Sequence, residues 1–301
     1  MGEGRKGFFL GVAAYAMWGV FPLYWPLLEP AGAVELLAHR VIWSAVVMAV
    51  LVVLLSRATQ LRALLATPRA RGILTLAAVA ISVNWGVFIW GVNNDHVVET
   101  SLGYFMNPLV TVLAGVVLLG ERLRPVQWGA LALAAAAVLG LAIEGGRPPW
   151  VALGLAFSFA SYGLLKKKAN TGAIEGLTVE TLVIAPVALC YLLWLGSTGG
   201  SHAGVDLPWH LLLLATSGAV TALPLICFGG AATRVPLTTL GLLQYLAPTI
   251  QFLLGVTLLG EPMSPWRWAG FAVIWVALAL FTADSLRQRQ LTRLRVEAAA
   301  I

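Results

Sequence analysis

Charge is scarce in this 301-residue chain: Asp, Glu, Lys and Arg make up 11% of it, against about a quarter in soluble domains. An ordinary water-facing surface is therefore excluded. Cysteine is nearly absent too. Its two copies, Cys190 and Cys227, stand inside apolar runs, which supplies neither a disulfide framework nor the spaced ligand pairs of a zinc site. The chain has no GxxxxGK[ST] phosphate loop, no GxGxxG following a strand, no HExxH and no GxSxG elbow. Nucleotide-driven pumping and hydrolysis thus lack their parts. No catalytic residue, metal ligand, cofactor or ATPase subunit is expected.

What is abundant is apolar sequence, 59% of residues. It gathers into runs of the length needed to cross about 30 Å of hydrocarbon at about 1.5 Å per residue. There are ten, near 7–27, 35–55, 72–92, 97–119, 126–143, 149–165, 177–195, 208–231, 238–259 and 266–284. Long apolar runs satisfy their backbone as helices rather than barrel strands, so the fold class is an all-α integral membrane protein with ten transmembrane helices. The first run lacks an A-x-A cleavage pattern and is expected to remain as the first span. Trp25, Trp150, Trp209, Trp266 and Trp268, near span ends, suit the interfacial aromatic belt.

The net charge of +6 invites a nucleic-acid reading until the basic residues are placed. Sixteen of the nineteen Lys and Arg fall in segments on one side: Arg5, Lys6, Arg57, Arg62, Arg69, Arg71, Arg122, Arg124, Lys166, Lys167, Lys168, Arg234, Arg287, Arg289, Arg293 and Arg295. Under the positive-inside rule both termini are cytoplasmic. The partner implied is the anionic bilayer surface, not nucleic acid.

The chain also repeats itself. Pro108–Trp128 (PLVTVLAGVVLLGERLRPVQW) returns 140 residues later as Pro248–Trp268 (PTIQFLLGVTLLGEPMSPWRW), with ten of twenty-one positions identical. Five spans per copy is an odd number, so the second half enters the membrane the other way up. The expected organisation is a first five-helix repeat at 1–145, a second, inverted repeat at 146–286 and a cytoplasmic basic tail at 287–301.

Pro108 and Pro248 sit at equivalent depth, and each removes one helical bond and frees the carbonyl four residues earlier, on Tyr104 and Gln244. Paired, Pro-interrupted helices in two halves point to a midplane binding site; inherited packing kinks are the alternative. Around them lie Asn84, Trp85, Tyr104, Asn107, Gln244, Tyr245 and Gln251, which either line a wet cavity or bond between helices. Arg40, beside His39, is the sole basic residue placed within a span, at a cost of about 2.5 to 3.5 kcal/mol at mid-bilayer. It either snorkels to the outer end or pairs structurally, or else it faces the cavity. His39 and Glu99 are the candidates for proton coupling, while Glu121 and Glu261, after glycines at helix ends, suit capped corners.

The segments HRVIWS (His39–Ser44), NWGVFIWGVNN (Asn84–Asn94), SLGYFMNPLV (Ser101–Val110), LGLAFSFASYGLLKKK (Leu153–Lys168) and TLGLLQYLAPTIQFLL (Thr239–Leu254), with the two Gly-Glu corners, resemble the EamA family of the drug/metabolite transporter superfamily. The resemblance implies a ten-helix inner-membrane permease of two inverted five-helix repeats with a central cavity. It carries His39, Arg40, Asn84, Trp85, Tyr104, Asn107, Pro108, Gln244, Tyr245 and Pro248 over as site candidates. The function expected is secondary transport, export of small metabolites or drug-like molecules by alternating access. A non-transporting membrane scaffold is the alternative, and an intramembrane enzyme a more distant one.

Overall fold

With no water to bond them, backbone groups in hydrocarbon pair within their own segment, and the computed structural model is accordingly built of helices. It describes residues 2–94, 97–144, 150–202 and 208–258, with scattered positions between 265 and 287. The first half contains α1 (Glu3–Gly19), α2 (Ala33–Leu54), α3 (Ala58–Ala66), α4 (Pro68–Asn93), α5 (Val97–Leu119) and α6 (Pro125–Glu144). The second contains α7 (Trp150–Ala169), α8 (Ala173–Ser197), α9 (Pro208–Ala232), α10 (Leu237–Leu243) and α11 (Leu246–Thr257). No strand occurs among the described residues.

Six stretches are long and apolar enough to cross a membrane: Glu3–Leu23, Ala33–Leu54, Pro68–Gly91, Leu102–Leu119, Ala173–Ser197 and Trp209–Ala232. The other expected spans differ in form. α6 carries a shorter apolar stretch, Pro125–Gly140, and α7 ends on Lys166, Lys167 and Lys168. The ninth span, expected as one helix over 238–259, is two helices, α10 and α11, joined by a turn at Gln244 and Tyr245. The tenth, expected over 266–284, is helical at each position described within it, while Glu261 before it and the basic tail beyond Arg287 lie outside the described residues.

The first span also differs from expectation. α1 stops at Gly19 instead of running to 27, and the chain folds into two short 3-10 turns, Phe21–Leu23 and Trp25–Leu28. Pro22 and Pro26 start those turns because neither has an N–H to continue the α1 ladder.

Exposed side chains on the outer face are apolar: Val53 and Val117 are each 74% exposed and Val187 is 70% exposed. Water would penalise such a surface, whereas lipid tails accept it. Inside, Tyr15, Met48, Ile81, Tyr162, Leu177, Leu225, Phe228 and Leu240 form one buried cluster joining α1, α2, α4, α7, α8, α9 and α10.

The packing exchanges partners between halves. α4 lies on α7 as α1 lies on α9; α2 meets α9 as α8 meets α4; α5 runs along α7 as α11 runs along α1. Swapping α1, α2, α4 and α5 for α7, α8, α9 and the α10–α11 pair maps this set of contacts onto itself. A twofold relation between two copies of one helical unit produces that pattern.

Small residues set the closest approaches, since lipid offers no hydrophobic drive between helices. A Cβ on Gly11 would lie 2.7 Å from Leu243 Cδ1, and one on Gly19 would lie 2.7 Å from Ile250 Cβ. The tightest approach of one helix to another's backbone among the described glycines is at Gly218 of α9, where a Cβ would fall 2.3 Å from the backbone carbonyl carbon of Trp43 on α2. Beside it Ser44 Oγ donates to the Gly218 carbonyl at 3.1 Å. Gly218→Ala forces a methyl into backbone that cannot yield, so a loss of about 1–3 kcal/mol is expected. Thermal unfolding of the detergent-solubilised protein measures it, and an unchanged midpoint would mean that α2 and α9 do not meet there.

Candidate functional site

Successive residues on a helix point about 100° apart, so His39 and Arg40 of α2 face different surroundings. Arg40 turns toward α9, where its Nε donates to Thr221 Oγ1 at 3.0 Å. The guanidinium carbon lies 4.5 Å from the Trp25 ring centroid and 5.3 Å from that of Trp85, within cation–π range of both. No carboxylate among the described residues pairs with it. Tyr24 and Tyr104 lie within its electrostatic reach. Tyr24 Oη is 2.8 Å from Thr216 Oγ1, and the Tyr104 ring meets Phe88 edge-on at 6.0 Å. The fold thus brings Arg40, Trp85 and Tyr104, three of the residues proposed for the site, near one another. It adds Tyr24, Trp25 and Thr221, which were not expected there. The turns after α1 carry Trp25 over Arg40. The Pro22-x-x-x-Pro26 spacing was the available signal.

His39 belongs to a different group. It is buried, its Nε2 has no hydrogen-bond partner, and Glu35 and His210 are the charged or titratable groups acting on it. Glu35 is 3% exposed. It accepts from Ser201 Oγ at 2.9 Å and the His202 backbone N–H at 2.8 Å, and its Oε2 lies 3.0 Å from His202 Nδ1. His210 Nε2 lies 3.1 Å from the Leu28 carbonyl. The Glu35–His202 contact escaped the sequence reading, because 166 residues separate Glu35 from Ser201 and no periodicity links them. The other proposed proton carrier, Glu99, is on α5, but its side chain lies outside the described residues.

Asn84 spends its amide on α7, donating to the Leu155 carbonyl at 2.9 Å and to Ser158 Oγ at 3.0 Å. It clamps two helices. Gln244 Nε2 donates to Thr111 Oγ1 of α5 at 3.0 Å, one turn from Asn107. The Tyr15 hydroxyl is within reach of the Gln244 amide, yet Tyr15 Oη, Asn107 Oδ1 and Gln244 Oε1 complete no hydrogen bond. Tyr245 donates to the Phe105 carbonyl at 3.4 Å and, with Pro108, lines a small apolar cleft against Ala130, Ala134 and Ala277. That cleft holds no charged side chain.

The two prolines are not equivalent in the structure. Pro108 lies inside continuous α5, whereas Pro248 occupies the first turn of α11, where an N–H has no intrahelical partner to lose. The Gln244 carbonyl is not free either, because the Ala247 N–H donates to it at 3.2 Å. The break at Gln244 and Tyr245 takes the place of the expected kink.

The first Gly-Glu corner is a cap reaching across the two halves. Gly120 adopts φ +67, a left-handed conformation that glycine takes without strain. The next residue, Glu121, accepts from the N–H groups of Leu237 at 2.7 Å and Thr238 at 2.8 Å. These are the opening donors of α10, which a carboxylate suits. Lys167 Nζ stands 3.8 Å from Glu121 Oε1 and donates to the Val235 carbonyl at 2.6 Å.

A second polar centre lies between α7 and α8. Lys166 Nζ donates to Glu180 Oε1 at 2.7 Å, and the Tyr162 hydroxyl donates to Oε2 at 3.0 Å. Tyr162 stacks on Phe228 with centroids 5.4 Å apart. Phe228 meets Phe159 and Trp18, and Trp85 packs against the same cluster. Aromatic contacts therefore run from Trp85, beside Arg40, to Tyr162, which is bonded to Glu180.

The sequence pattern of the EamA-like transporter family matches this chain twice, over residues 5–143 and 148–283. The chain belongs to that family. It is 56% identical to a protein named RarD from Streptomyces exfoliatus, over 99% of this chain and 95% of that one. It is 36% identical to a protein named chloramphenicol-sensitive protein RarD from Pseudomonas aeruginosa, over 94% and 95% of the two chains. A solved crystal structure superposes with a TM-score of 0.69 at 20% identity, covering 91% of this chain and 96% of its own, a likeness of fold. The EamA-like family is one of transporters, and with its six membrane-length apolar helices the chain is a multi-pass membrane protein.

Glu121→Ala removes both bonds to the start of α10. The expected loss is about 1–2 kcal/mol, read as a lower unfolding midpoint in detergent, with Glu121→Gln losing less because it keeps one acceptor oxygen. Equal midpoints for all three proteins would dismiss the cap.

Proposed function

We propose that this protein is a secondary transporter of the bacterial inner membrane, an exporter of small amphipathic organic molecules. Two halves related by inversion rock about a midplane site to give alternating access. Both termini are cytoplasmic in this reading, which the one-sided distribution of Lys and Arg supports. The double family match and the exchange of helix contacts support two equivalent states.

The observation that carries the reading is Arg40. Its guanidinium stays charged at any physiological pH and offers five donors. Among the described residues one of them, Nε, is taken, by Thr221. A charge in that position, with rings beside it and no carboxylate, is arranged to receive an anion. Arginine binds a carboxylate through two parallel N–H···O bonds, and the faces of Trp25 and Trp85 give the body of the solute an apolar flank. The class that fits has an aromatic or apolar body and an anionic or zwitterionic head. Asn107 and Gln244, whose acceptor oxygens are unused, would orient polar groups further along the path.

Binding of matched solutes to protein in lipid nanodiscs tests this, with tryptophan fluorescence as readout: benzoate against benzamide, and chloramphenicol as a third probe suggested by the Pseudomonas relative's name. The wild type is expected to bind benzoate about tenfold tighter than benzamide. Arg40→Gln removes that preference and leaves benzamide affinity unchanged. Equal binding of the two by the wild type, or a preference surviving in Arg40→Gln, would overturn the assignment.

A further inference from the structure

The buried pair between α7 and α8 shares no direct partner with Arg40. Side-chain exposure is 4% for Lys166 and 2% for Glu180. An apolar pair of equal volume would hold two helices at least as well as buried opposite charges do. A buried ion pair whose carboxylate stands on a membrane-length apolar helix is accordingly a candidate functional site. Its surroundings seat the lysine against bare backbone. A Cβ on Gly229 would lie 3.2 Å from Lys166 Cε, and a Cβ on Gly176 would lie 3.2 Å from Lys166 Nζ. Glycine at both places leaves Lys166 the space that a Cβ would take, so the ammonium reaches the carboxylate past bare backbone. The carboxylate is also held from both sides, Oε1 by the ammonium and Oε2 by Tyr162, so a proton gained there changes both bonds.

We propose that Glu180 is a proton-binding site that couples transport to proton movement: one proton adds to its carboxylate, Lys166 is released, and α7 unlatches from α8. The proton comes from water on one side of the membrane and leaves to the other when the pair re-forms. No covalent bond in the protein breaks apart from that of the exchanging proton, and Lys166 keeps its own three protons. The groups facing Glu180 are Lys166 and Tyr162 of α7, with Tyr15 of α1 acting on Tyr162. Glu175, earlier on α8, is occupied by Arg57 at 3.2 Å. α2, α4 and α9 bring Met48, Leu74 and Phe228 against this part of α8, none of them titratable. The coupling rests on the transport reading; the proton site does not, and it can be tested with no solute present.

Infrared spectra of the full-length protein in lipid nanodiscs, titrated from about pH 8 to pH 5, test the site. A protonated-carboxyl band is expected to grow in the wild type as pH falls and to be missing in Glu180→Gln. In Lys166→Met the band persists to higher pH, since the neutral acid is favoured once the ammonium is gone. Tyr162→Phe removes one hydroxyl, keeps the band and moves its midpoint, which identifies Glu180 even where the charge variants fail to fold. A wild type with no growing band, or the same band in folded Glu180→Gln, overturns the site. Amide hydrogen exchange over 166–180 at one fixed pH tests the latch. It should run about tenfold faster in Glu180→Gln than in the wild type, and equal rates would overturn the latch while leaving the Arg40 assignment untouched.

Discussion

Hydrocarbon solvates neither a peptide N–H nor a charge, so every polar group carried into it must find its partner inside the protein. The molecule is ordered by that constraint. Helices satisfy their own interiors, and the places where a helix starts, stops or carries a charge are where the two halves are tied together. α10 is seven residues long, too short to persist alone, and the carboxylate at its opening comes from Glu121, more than a hundred residues earlier. Arg40 finds a hydroxyl from α9 and two indole faces. Glu180 finds an ammonium and a phenol from α7.

The same constraint explains why small residues hold the bundle. Between lipid-bathed helices there is no water to expel, so attraction comes from close backbone contact, and Gly218 against Trp43 is its extreme case. Contacts of this kind fix distances between helices without directional bonds and leave the pairs free to slide or rock. The polar ties are fewer and more selective. Arg40 and the Lys166–Glu180 pair are joined by aromatic contacts that run through Trp85, Trp18, Phe159, Phe228 and Tyr162.

Much of this was legible beforehand. Apolar run lengths gave the helical class, and the duplicated Pro-to-Trp segment gave two related copies. Arg40, Trp85 and Tyr104 were singled out as polar or amphipathic groups at membrane depth, and the fold brings them to one place. Other residues were read less well. Pro248 looked like a mid-helix kink because Gln244–Tyr245 carries no glycine or other breaker, yet the helix stops there. His39 sat next to Arg40 in sequence and faces away from it in space. Lys166 was read only as one of the basic residues on the cytoplasmic side, and the Glu35–His202 contact, across 167 residues, left no mark in the local pattern.

Sequence by itself determined that this chain lives in a bilayer, that it is made of two related halves, and which of its residues are too polar for their surroundings. Period, length and charge are local quantities, and a chain carries them whether or not it has folded. Tertiary structure alone decided which of those polar residues meet: Trp25 with Arg40, Glu121 with the start of α10, Lys166 with Glu180. Those pairings depend on where helices break and how closely glycines let them approach. Such distances exist only once the two halves have packed against each other.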